Sequence, residues 1–140
     1  MAFWDASAII PLCCWQPDTA ESRKLRREFE RMIVWWATPI EARSAIARLA
    51  RERHLGPEQQ VRAVSRLGQL RVAWDEILPT EKVRSLAEAL PDSHGLRAAD
   101  AAQLAAALVW CRERPKLRPL VCFDERLRTA ASALGFSVRP

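Results

Sequence analysis

The chain lacks the features that would place it in a membrane, around zinc or in a disulfide framework. No stretch approaches the roughly 18 consecutive apolar residues that a membrane span needs. The start carries no basic segment, and Asp5 and Pro11 interrupt its apolar stretch, so it does not resemble a secretory leader. The cysteines, Cys13, Cys14, Cys111 and Cys122, form no C-x-x-C pair, and neither His54 nor His94 stands at zinc-ligand spacing beside them. Each cysteine sits in or beside an apolar run, which predicts small buried hydrophobes in a reducing compartment. Low-complexity tracts, internal repeats and long linkers are also missing; Gly and Pro act only as punctuation between periodic segments. These absences predict a soluble, cytoplasmic protein with no membrane partner.

What is present is enough for one folded unit. The 140 residues suit a single domain spanning 1–140, and at 49% hydrophobic they can bury a core unaided. The net charge of +5 favours an anionic partner, nucleic acid first among them.

Apolar periodicity alternates between two and 3.6. Ala2–Trp4 predicts a short buried strand, with a turn of helix over Ser7–Leu12. Asp18 predicts the N-cap of a charged helix running to about Arg31. Ile33–Ala37 predicts a second strand. Thr38-Pro39-Ile40-Glu41 then opens a helix, with Thr38 as N-cap and Glu41 closing a capping box. Its apolar stripe is Ala42, Ala45, Ile46, Leu49 and Ala50. A further helix carries Val61, Val64 and Leu67 on one face, and Val72–Leu78 can hold a strand. Val83, Leu86, Ala87 and Leu90 return to helical spacing. Ala98–Trp110 is nearly all apolar, with Asp100 and Gln103 as its polar members on one face. Leu120–Phe123 predicts a strand, Asp124 caps a last helix ending at Gly135, and Phe136–Val138 predicts an edge strand. Strands alternating with helices predict a parallel sheet covered on both faces. Ligands of such sheets bind beyond the carboxyl ends of the strands.

That edge is where the acids fall. Asp5 follows the first strand, Glu41 opens the helix after the second, Asp124 follows the Leu120–Phe123 strand, and Asp100 lies on the buried helix within reach. Two unit charges 4 Å apart repel by about 1 kcal/mol in water and about 4 kcal/mol at an effective dielectric near 20. Gathering four therefore requires protonation or a cation. Oxygen donors without His or Cys suit Mg²⁺ or Mn²⁺ rather than Zn²⁺. Such a site within a basic surface fits metal-assisted phosphodiester hydrolysis. Each acid also has a structural reading: Asp5, Glu41 and Asp124 as helix caps, Asp100 as the partner of Arg97.

F-W-D-A-S-A-I-I, T-P-I-E-A-R-S-A, L-R-A-A-D-A-A-Q-L-A-A-A-L and V-C-F-D-E-R-L-R-T-A-A-S-A-L-G resemble, in order and spacing, the sequence blocks of PIN domains from Phe3 to Val138. The resemblance implies a three-layer α/β/α sandwich around a mostly parallel sheet. It implies a Mg²⁺- or Mn²⁺-dependent endoribonuclease, with Asp5, Glu41, Asp100 and Asp124 as metal ligands and Ser7 orienting the Asp5 carboxylate. The size is similar to VapC-type toxins, which implies RNA as substrate, a homodimer and a VapB-type antitoxin as partner. One departure is Gln103, where many members carry His.

Two other readings follow from the same residues. One is an inert PIN-like module that binds RNA or a partner without cutting. The other is an aspartyl-phosphate phosphatase, which needs a second Asp where Ser7 stands. Trp35 and Trp36 are expected on opposite sheet faces, and core packing is expected for most tryptophans. Trp15 is a candidate seat for an antitoxin helix. Arg23–Arg27, Arg43, Arg48, Arg51 and Arg53 either track phosphates or form solvated helix faces. His54 and His94 are expected at the surface.

Overall fold

The computed structural model describes residues 1–140. Its elements run β1 (Ala2–Trp4), α1 (Ala6–Cys13), α2 (Thr19–Glu28), β2 (Met32–Trp35), α3 (Thr38–Arg51), α4 (Pro57–Val72), β3 (Trp74–Ile77), α5 (Glu81–His94), α6 (Ala98–Trp110), β4 (Pro119–Val121), α7 (Glu125–Leu134) and β5 (Ser137–Arg139). The strands form one sheet in the order β3-β2-β1-β4-β5, and every neighbouring pair is parallel.

This order fixes where helices go. From β1 the chain winds outward through β2 to β3, then returns across β1 to β4 and winds outward to β5. Right-handed crossovers in opposite directions place their helices on opposite faces. Side-chain alternation along the strands agrees. Phe3, Ile33, Trp35 and Leu120 pack with α5, α6 and α7, while Ala2, Trp4, Met32, Val34 and Val121 pack with α1 to α4. α6 is buried along most of its length, as an all-apolar helix must be, and packs on β2, β3 and α5. The chain reverses direction between β1 and β4, so a crevice opens beyond their carboxyl ends.

Several local expectations are corrected. β2 ends at Trp35; Trp36 donates its N–H to the Ile77 carbonyl but lies beyond the strand, 45% exposed. Trp35 and Trp36 are thus not a cross-face pair. Trp15, 77% exposed, is likewise outside the core, whereas Trp4, Trp35 and Trp74 are buried. α1 runs longer than a single turn, and α2 stops at Glu28 because Phe29 turns to extended backbone to feed β2. Asp18 does hold the N-cap position of α2, as expected, but its side chain makes no cap bond. Thr38 is the first residue of α3 rather than its cap; Ala37 holds that place and no side chain caps the helix. On α4 the residues facing inward are Ala63 and Leu67, while Val61 is exposed. β4 and β5 are each displaced by about one residue from the expected spans.

Candidate active site

All four candidate acids stand at helix starts around the crevice. Asp5 is the N-cap of α1; its Oδ2 accepts the Ser7 N–H at 2.9 Å, and only 6% of the residue is exposed. Its own N–H donates to the Val121 carbonyl at 3.0 Å, which carries the β1–β4 ladder up to the acid. Asp124 is the N-cap of α7, with Oδ1 accepting the Leu127 N–H at 2.9 Å, and is exposed. Glu41 and Asp100 lie in the first turns of α3 and α6, each half-buried. Asp100 therefore sits at the rim of its helix, not in its apolar middle. Helix N-termini carry partial positive charge, which offsets part of the repulsion among the acids.

That repulsion is still felt. Burial pushes the Glu41 carboxyl up to about 7, helped by the charges of Asp5 and Asp100, while the Gln103 amide pulls it down. Burial raises Asp5, Ser7 and the Ala6 N–H hold it down, and Asp100 adds to the rise. Asp100 is raised by burial and then by Asp124, against Arg126 and Arg97. The four acids are thus linked pairwise in one electrostatic cluster. None of them has a Lys or Arg salt-bridge partner; the ion pairs of the fold lie elsewhere, for example Arg31–Asp75 and Arg139–Glu28. The expected Arg97–Asp100 pair is not formed.

Three further side chains complete the surroundings. The Ser7 hydroxyl accepts N–H groups of Phe123 at 2.9 Å and Asp124 at 3.3 Å, pinning the β4–α7 turn to α1. The bond that orients the Asp5 carboxylate comes from the Ser7 backbone, with the hydroxyl helping to keep the acid charged. Cys122 is fully buried behind Asp5, its Sγ 3.6 Å from Asp5 Oδ2 and 3.5 Å from the Asp124 carbonyl. Gln103, also fully buried, donates from Nε2 to Thr38 Oγ1 at 3.2 Å and Glu41 Oε1 at 3.1 Å. Glu41 is therefore engaged by α6 instead of closing a capping box. From sequence alone Cys122 reads as core filler and Thr38 as a cap. Proximity of Cys122 to Asp124 along the chain was the available signal for the first; the second depends on a contact 65 residues away.

Grooves radiate from the cluster. A depression of about 570 Å³ is lined by Arg97, Asp100, Asp124, Arg126 and Thr129. A second, about 260 Å³, contains Ser7, Gln16, Arg48 and Asp124, and a third, about 390 Å³, contains Glu41, Ser44, Arg48 and Arg51. Arginines without carboxylate partners therefore flank the acids on both sides.

The donor chemistry fits a hard divalent cation such as Mg²⁺ or Mn²⁺: carboxylate oxygens, without a histidine, and without a resident basic partner. No three acidic, His or Cys side chains are drawn together at ligand spacing.

A family model described as the PIN domain matches residues 2–133. No curated protein matches the chain. Among solved structures, a toxin–antitoxin complex from Klebsiella pneumoniae aligns at TM-score 0.64 and 16% identity, covering 89% of this chain and 87% of that one. PAE2754 from Pyrobaculum aerophilum aligns at 0.67 and 21%, covering 98% and 87%. FitAcB from Neisseria gonorrhoeae aligns at 0.65 and 18%, covering 100% and 97%. With its parallel sheet order, its acids around the β1–β4 crevice and this match over nearly its whole length, the chain belongs to the PIN domain family.

Proposed function

We propose that this chain is a Mg²⁺- or Mn²⁺-dependent endoribonuclease and the toxin of a toxin–antitoxin pair. The observation that carries the reading is the gathering of Asp5, Glu41, Asp100 and Asp124 at helix starts around one crevice, with Asp5, Glu41 and Asp100 raised by burial and by neighbouring carboxylates, and none of the four paired with Lys or Arg. Those four residues would hold the ion. A bound divalent cation supplies charge neutralisation and activation of water for phosphodiester hydrolysis. Ser7 fixes Asp5 and the β4–α7 turn, while Gln103 holds Glu41. Arg48 and Arg51 on one side, with Arg97 and Arg126 on the other, would seat the phosphates of an RNA strand.

The toxin assignment is supported by the likeness of the fold to a toxin–antitoxin complex from Klebsiella pneumoniae. A VapB-type antitoxin and a second copy of the chain are the corresponding partners, in the cytoplasm. No helix is long and apolar enough to cross a membrane.

The test is direct. Purified protein cleaves RNA with Mn²⁺ or Mg²⁺, and EDTA or Asp5→Asn abolishes cleavage. Cleavage that persists under both treatments would falsify the mechanism. Salt-sensitive RNA binding without cleavage or Mn²⁺ uptake would identify an inert PIN-like RNA- or partner-binding module instead.

A further inference from the structure

The two half-buried acids ride on opposite layers of the fold. Ala42 and Ile46 of α3 pack into the core on one face of the sheet, and Ala101 and Leu104 of α6 into the core on the other. Glu41 belongs to the first layer and Asp100 to the second. Both side-chain hydrogen bonds that connect α3 with α6 are made by Gln103, one turn beyond Asp100, reaching over the sheet edge to Thr38 and Glu41.

The amide is oddly placed for a purely structural residue. It is fully buried, yet its Oε1 finds no hydrogen-bond partner in the fold. A buried unsatisfied oxygen opposes folding, and it offsets part of what the two hydrogen bonds from Nε2 contribute. What the amide provides is geometry. Its Nε2 is held at Thr38 Oγ1 and spends its other hydrogen on Glu41 Oε1, leaving Glu41 Oε2 free.

We propose that Gln103 is a positioning residue, which fixes the Glu41 carboxylate relative to Asp100 across the two layers and so sets how both acids share a divalent cation. This rests on the metal-dependent reading above. Groups that orient ligands in this way typically change metal affinity by about 10- to 100-fold when removed.

The experiment titrates Mn²⁺ calorimetrically into the full chain and its variants, all of which keep the four acids, and records thermal unfolding in EDTA. Gln103→Leu is expected to bind Mn²⁺ about 10- to 100-fold more weakly while losing no more unfolding temperature than the packing control Leu104→Ala. Gln103→Met, unbranched and of similar length, serves the same purpose should the leucine disturb folding. Leu104→Ala, a packing control in the fully buried neighbour, is expected to unfold earlier with the parent's Mn²⁺ affinity. Thr38→Val frees the amide at its other end; it should weaken Mn²⁺ binding alone and add nothing to Gln103→Leu, because both act through one group. Parent-like affinity in Gln103→Leu and Gln103→Met overturns the inference and leaves the nuclease reading standing. So does an affinity loss that tracks unfolding temperature across all variants. A parent protein that takes up no Mn²⁺ overturns the metal reading itself, and this inference with it.

Discussion

The Cys122 thiol points at the Asp5 carboxylate, Sγ to Oδ2 at 3.6 Å, the same oxygen that accepts the Ser7 N–H. Burial, with the nearby Asp5 charge, pushes the thiol well above its ordinary range, so it stays protonated and has a hydrogen to donate to Asp5. Cys122→Ser keeps a donor at the same place and should preserve Mn²⁺ affinity. Cys122→Ala removes the donor and opens a small void, costing about 1 kcal/mol in urea unfolding and weakening Mn²⁺ binding. Equal Mn²⁺ affinity in the alanine and serine variants would reduce Cys122 to packing.

The acid cluster should give the metal-free protein an unusual pH dependence. Glu41 is raised from 4.5 to about 7 on folding, and Asp5 and Asp100 are raised too. In this window the folded state binds more protons than the unfolded state, so stability falls as pH rises. The Glu41 contribution is fully lost only above pH 7. In EDTA, the parent is expected to lose thermal stability between about pH 4.5 and 7 relative to Glu41→Gln, which cannot ionise there. Mn²⁺ binds the deprotonated acids and should reverse the trend, stabilising most at the upper end. A parent-minus-variant difference that is flat or rises with pH in EDTA contradicts the assignment.

Basic residues on the two sides of the crevice should act separately from the acids. Arg48 and Arg51 line one groove with Glu41, and Arg97 and Arg126 line another with Asp100 and Asp124. If an RNA strand crosses the acids, alanine at either pair weakens binding and lowers its salt dependence. Each lost phosphate contact reduces the log–log slope by about 0.7 for a single strand. Fluorescence anisotropy with an Asp5→Asn background, which prevents cleavage, measures this. Unchanged slopes in both double variants would place the RNA elsewhere.

Much of this arrangement was readable because strand ends and helix starts are local signals. The alternation of short apolar runs with helical spacing implied a doubly covered parallel sheet, and the acids could then be assigned to its carboxyl edge. The misreadings occurred where two local options were equal and a distant contact chose between them. The apolar run Ile33–Ala37 looks like strand throughout, but β2 pairs with β3 only through Trp35, opposite Ile77. Val61, Val64 and Leu67 share a helical face, yet the inward side of α4 is defined by Ala63 and Leu67 packing with the α1–α3 layer. A Thr three residues before a Glu reads as a capping box until Gln103 claims both side chains.

Asp5 and Asp124 each do two jobs that one substitution can separate. Both accept a helix N–H, from Ser7 and Leu127 respectively, at 2.9 Å. A neutral amide retains a carbonyl oxygen for that bond but loses the charge that a divalent cation needs. Asp124→Asn is therefore expected to unfold like the parent in EDTA while losing Mn²⁺ binding and RNA cleavage. Asp124→Ala should lose the same activity and also about 1 kcal/mol of stability, because α7 then starts uncapped. Asp5→Asn differs in one respect. Asp5 is buried and repelled by Asp100, so removing its charge should stabilise the metal-free protein rather than leave it unchanged. Asparagine variants that retain full cleavage and Mn²⁺ affinity would leave both aspartates as helix caps alone, with the crevice chemistry assigned to other groups.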